Sequence, residues 1–171
     1  MPRSRTIAAL LWSALFGLAL ATPAAAAKPV GEAWGNVTWA LRSGEVPGIV
    51  SDFYVRDGRP FGASSRGDSG WYRLTRPDPI LGTLTLRVEC VRVDAGWAEF
   101  AGVVTEASGV YVKGEVFLVS VLDGGPNEAG DEIGMKSHGF DLASGCAAAL
   151  DLAQFGRKGV IAAGDIAVRV R

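Results

Sequence analysis

Apolar and polar side chains alternate one for one over much of the chain, and the longest such run lies between Leu84 and Thr105. Leu84, Leu86, Val88 and Cys90 alternate with Thr85, Arg87 and Glu89, the period of a strand with one face turned inward. Beyond Cys90 the phase slips by one residue and Val91 and Val93 carry the apolar row; such a slip predicts a β-bulge. Asp94-Ala95-Gly96 is a turn with one residue free to take positive φ, and Trp97 to Thr105 returns as the partner strand. Further strands are predicted over 35–41, 49–56, 71–74, 110–122, 131–135 and 164–170, with Gly and Pro punctuating the gaps. No long 3.6-residue period occurs. The pattern predicts an antiparallel all-β domain of about eight strands, a barrel with a β-sandwich as the alternative. Bulges near Cys90 and Gly114 favour the barrel, because they help a sheet curl. The stretch 139–164 is the exception. Cys146 to Phe155 reads as a short helix or a pinned irregular segment, with Ser144 as N-cap and Gly156 just past its end.

Composition adds an address. Residues 1–27 have Arg3 and Arg5, an apolar run from Ile7 to Ala21 and a small-residue Ala24–Ala27 stretch, the order of a secretory signal peptide. The run is short for a membrane span. Residues 28–171 then form a single secreted domain, with no tail, linker or repeat array. Removing Arg3 and Arg5 takes the 17 basic residues to 15, against 18 acidic ones, a net −3. That balance offers no basic footprint for nucleic acid and no polybasic surface for a membrane. Two cysteines, Cys90 and Cys146, in an exported chain read as one disulfide. It would close a loop of about 57 residues, worth about 4 kcal/mol on chain entropy, and pin the 139–164 segment to the central hairpin.

The opening Gly35-x-Val37-Thr38, then Val88-Glu89-Cys90-Val91-x-Val93, Trp97-Ala98, Ala101-Gly102-Val103-Val104, Val119-x-Val121-x-Asp123-x-Gly125, Asp131-x-Ile133 and the closing Gly164-x-Ile166-x-Val168 resemble the post-COAP type of small secreted bacterial domain. A second cysteine before the last strand also fits. Glu99, Phe100 and the long Ala-rich stretch at Cys146 depart from it. The resemblance implies an antiparallel β-fold without a known activity and supplies no catalytic residue.

Candidate chemistry is sparse. Asp123, Asn127 and Asp131 put oxygen ligands on one Gly-rich loop, a pattern that suits Ca²⁺, although the spacing is not that of an EF-hand; no other cofactor is indicated. Arg66-Gly67-Asp68-Ser69 spells a cation–carboxylate tripeptide in a polar turn. His138 is the single histidine and has no G-x-S-x-G or ordered partner beside it. Asp52, Glu89, Glu99 and Glu115 alternate with basic residues, as the polar row of a wet strand does. Trp39 and Trp97 fit apolar rows. Trp34, Trp71 and Tyr72 sit at strand edges near glycine, where exposed rings would serve a ligand. These features favour a monomeric, non-catalytic secreted module that binds a glycan, cell surface or protein. The alternative is a small extracellular hydrolase or isomerase with paired carboxylates in a barrel mouth.

Overall fold

In the computed structural model, residues 31–41, 47–58, 67–125, 130–137, 142 and 158–170 are described. They form eight strands: β1 (Gly31–Ala40), β2 (Ile49–Asp57), β3 (Ser69–Thr75), β4 (Thr83–Asp94), β5 (Trp97–Ala107), β6 (Val116–Leu122), β7 (Glu132–Ser137) and β8 (Lys158–Val170). Each pairs antiparallel with the next, and β8 pairs with β1, so the sheet closes as an up-and-down barrel. The sandwich alternative falls away. Among the described residues no helix is long and apolar enough to cross a membrane. The leader, the Cys146–Phe155 segment and His138 lie outside the described residues.

The strands form where the period-2 pattern lies, and the pattern gives the barrel its inside. Phe53, Tyr72 and Phe100 meet at its centre with ring centroids 5.7–6.3 Å apart. Val37, Leu74, Leu84, Leu86, Val119, Ile133 and Ile166 fill the space around them. The predicted slip in β4 is a register shift between Val88 and Cys90, and a second shift lies between Thr85 and Leu86. The bulge falls on Glu89 rather than after Cys90. Cys90 therefore pairs with Ala101 in the outward row, while Val91 pairs with the inward Phe100. Gly96 turns the hairpin at φ +76°. The expected strand from Val110 begins only at Val116. Gly109 and Gly114 both take positive φ, which breaks the extended chain, and Val110 and Val112 stand exposed in the loop. Trp97, expected in the core, faces out with the Arg92 guanidinium 4.9 Å from its ring centre.

The two halves of the barrel repeat a closing device at one end. In the first half, the Asp68 carboxylate accepts the Gly58 amide (3.2 Å) and the Val91 amide (2.9 Å), and Asp57 accepts the Val93 amide (3.3 Å). In the second, Asp131 accepts the Gly124 amide (2.9 Å) and the Ile166 amide (2.9 Å), and Asp123 accepts the Val168 amide (3.0 Å). Each first aspartate opens an Asp-Gly pair and each second one closes a Gly-Asp pair. The glycines are required. A Cβ on Gly58 would collide with the backbone of Gly67, and one on Gly124 with that of Gly130.

These latches sit where neighbouring strands run out. The β3–β4 ladder runs only as far as Trp71 and Arg87, and the β7–β8 ladder covers only Glu132–Gly134. The amides of Val91, Val93, Ile166 and Val168 find carboxylates in place of a strand, which removes the cost of leaving buried donors unpaired.

Candidate functional site

The barrel has an outer face and an open end where a ligand can bind, and the two are built from different rows. On the outer face, Trp34 of β1 pairs in register with Tyr54 of β2, and Tyr54 with Trp71 of β3. Adjacent strands lie about 4.8 Å apart, so three aromatic rings cross the sheet in a row about 10 Å long. Tyr54 and Trp71 are about two-fifths exposed. Two of the three rings are braced: the Arg169 guanidinium lies 4.9 Å over the Trp34 ring, and the Tyr54 hydroxyl donates to Glu32 at 3.3 Å. Polar rows flank it. On one side Asp165, Asn36, Asp52, Arg73 and Thr85 follow one another in register, and on the other Arg169, Glu32, Arg56 and Ser69.

Trp34, Trp71 and Tyr72 are the ligand aromatics expected from the sequence. The structure keeps Trp34 and Trp71 on the outer row but turns Tyr72 inward, fully buried. Trp71 and Tyr72 are consecutive on a strand and must face opposite sides. Tyr54, missed from the sequence, takes the middle place. Its phase with Asp52 and Arg56 marked it as outward, but only the β1–β2–β3 register shows that it joins two tryptophans.

Inside, Trp39 Nε1–H donates to Ser51 Oγ (2.9 Å), Ser51 Oγ lies 2.7 Å from the Tyr72 hydroxyl, and that hydroxyl donates to Met135 Sδ at 3.8 Å. Burial pushes the Tyr72 phenol far above its ordinary range, although the Ser51 hydrogen bond pulls the other way. Beyond this chain the barrel opens into a cavity of about 310 Å³ lined by Trp39, Arg76, Tyr111, Glu115, Phe117 and Met135, among others. Arg76 Nε donates to the Tyr111 hydroxyl at 2.7 Å. Burial raises the Tyr111 phenol, and the Arg76 charge and hydrogen bond partly offset this.

The carboxylates singled out in the sequence do not meet as a pair in that mouth. Asp52 and Glu89 lie on the outer face, Glu89 bonded to Arg87 at 2.7 Å. Glu99 is fully buried, opposite Arg92 in the outward row of β5. Glu115 stands at the rim and accepts the Val112 amide at 3.2 Å. Asp123 and Asp131 are latch residues, and Asp123 also accepts the Gly125 amide at 2.9 Å. Asn127 lies outside the described residues. Among the described residues no group of three or more His, Cys, Asp or Glu side chains is placed to hold a metal ion. Asp68 of the cation–carboxylate tripeptide is likewise a latch residue, while Arg66 lies outside the described residues. Cys90 is buried, and there is no free cysteine among the described residues. No protein-family model, curated protein or solved structure matches the chain.

Proposed function

We propose that the protein is an exported, monomeric, non-catalytic binding barrel that grips a neutral polysaccharide on its outer aromatic row. The observation that carries this reading is the registered row Trp34–Tyr54–Trp71, with two exposed rings and polar rows on both sides. Sugar rings offer C–H faces that lie on aromatic surfaces and hydroxyls that need donors and acceptors beside them. The flanks carry both signs of charge, which suits an uncharged chain better than an acidic or basic one. Bracing by Arg169 and Glu32 means that little side-chain freedom is lost on binding. The engagement of the acidic residues with backbone amides and surface partners supports binding over hydrolysis, and latch roles for Asp123 and Asp131 over calcium ligation.

The test is sedimentation with insoluble cellulose and chitin, and mobility in native gels cast with soluble β-glucan or xylan. Trp71→Ala and Tyr54→Ala should abolish retention on whichever polysaccharide binds, each by about 2 kcal/mol as a central hot spot. No retention on any of the four, or retention unchanged in both variants, would end the proposal.

Export and the disulfide belong to the same reading. Cys90 pairs with Cys146, supported by the buried position of Cys90 and by the presence of only two cysteines in the sequence. Thiol counting on denatured, unreduced protein from the periplasm or medium should find none.

A further inference from the structure

The open end of the barrel carries a second site, independent of the outer row. The cavity is about 310 Å³, at the small end of the range for small-molecule pockets. Its depth is apolar: Trp39 and Phe117 are buried, and Met135 lies beside them. Among the described residues, one cation faces it. Arg76 spends its Nε on Tyr111, and the guanidinium carbon lies 5.8 Å from the centre of that ring. Its two Nη groups make no hydrogen bond or ion pair among the described residues. Arg76 also borders a smaller adjoining hollow of about 160 Å³ with Pro77 and Leu81, so it stands at the waist of a longer groove. Two exposed apolar side chains, Leu41 and Val110, also line the cavity.

We propose that this mouth binds a small amphiphile, with its apolar body against Trp39, Phe117 and Met135 and its anionic head on the free Nη edge of Arg76. A guanidinium held by one hydrogen bond presents its remaining donors as a fork suited to a carboxylate or sulfonate. Tyr111 holds that fork in place and stays protonated, since burial raises its phenol. Glu115, the other charged group on the lining, has its carboxylate turned to the Val112 amide. The protein as a whole is weakly acidic. A preference for anions therefore has to arise locally, from Arg76, and not from the general field of the molecule.

The site lies inside the barrel wall, whereas the aromatic row lies outside it, so its test does not depend on polysaccharide binding. The probes are 8-anilinonaphthalene-1-sulfonate, which carries a sulfonate, and the uncharged N-phenyl-1-naphthylamine, followed by fluorescence on the mature protein. The sulfonate should bind saturably at one site and be displaced by decanoate more readily than by decanol. Arg76→Gln should weaken the sulfonate about tenfold or more and leave the neutral probe within about twofold, and Arg76→Lys should keep part of the preference. The decanoate–decanol comparison needs no variant and stands even if Arg76→Gln folds poorly. Absence of saturable binding, equal displacement by acid and alcohol, or equal losses for both probes in a folded Arg76→Gln would overturn the proposal.

Discussion

The first four strands and the last four close the barrel with the same latch yet present opposite outer faces. Aligning the latches makes Asp57 and Asp68 the counterparts of Asp123 and Asp131. The offset of the first aspartates sets Asp52 against Leu118 and Tyr54 against Ser120, and that of the second aspartates sets Trp71 against Gly134. In the first half that outer row is wet and aromatic. In the second it is covered: Leu118, Ala101 and Glu99 are buried although they point away from the barrel interior, and the cover reaches Cys90 on the adjoining β4. The difference teaches that closure and surface are set by separate rows of residues. The latch amides and inward side chains make the barrel, and the outward row is free to serve a ligand on one side and to be packed on the other.

Exchanging counterparts breaks the comparison most sharply. Leu118→Asp, which imports the residue of the first half, buries a carboxylate at a fully covered position with Lys136 as the cation opposite it, and should still cost about 2–3 kcal/mol through desolvation and lost packing, read as a lowered urea midpoint. The reciprocal Asp52→Leu, on the wet face, should change stability by no more than about 0.5 kcal/mol. If the two changes cost the same, the outer faces do not differ as described.

The latches come next. Asp131→Ala strands the amides of Gly124 and Ile166 and should cost about 3 kcal/mol. Asp68→Ala strands Gly58 and Val91 at a more exposed position and should cost about 2 kcal/mol. The double variant should lose the sum to within about 0.5 kcal/mol if the latches act independently. Added calcium should leave the melting temperature of the unmodified protein where it is, because these carboxylates hold amides. A calcium-dependent rise abolished by Asp131→Ala would show that the second latch is also a cation site.

A smaller effect tests the inner row, where Tyr72 in the first half and Met135 in the second are counterparts that touch. Tyr72→Phe should cost about 1 kcal/mol at neutral pH through the lost Ser51 bond. Burial raises the folded phenol above its unfolded value of about 10. Its contribution is therefore complete below about pH 10 and is lost as pH climbs toward the folded value, because only the unfolded chain can ionise. Urea midpoints at about pH 8 and about pH 11 should fall further for the parent protein than for Tyr72→Phe. The smallest change is Trp71→Ala, which should alter stability by about 0.5 kcal/mol or less while removing polysaccharide retention.

Much of the barrel was legible because period-2 alternation survives wherever one face is buried. The central hairpin, its Gly96 turn, the bulge beside Cys90 and most strands lie where the pattern puts them. The strand at Val110 misled because valines read as strand even where Gly109 and Gly114 bend the chain. Tyr72 misled because its neighbour Trp71 is exposed, and adjacent strand residues cannot share a face. The acidic loop at Asp123 was only partly legible, for a deeper reason. Its carboxylates serve amides 35 and 45 residues away, and no local spacing announces such a partner. The aromatic row was half legible: two of its three rings stood out, but the row exists only through the register.

The pairing of β1 with β8 also sets the direction in which the molecule faces. Gly31 lies opposite Val170, so β1 enters and β8 leaves at the latched end. A tether joined at Gly31 or at Val170 would hold the barrel by its latched end. The mouth with Arg76 would then point away from the support, and the aromatic row would stand along the side, open to a polymer lying parallel to that support. Fusions and surface immobilisation through either end should therefore leave both sites accessible at once.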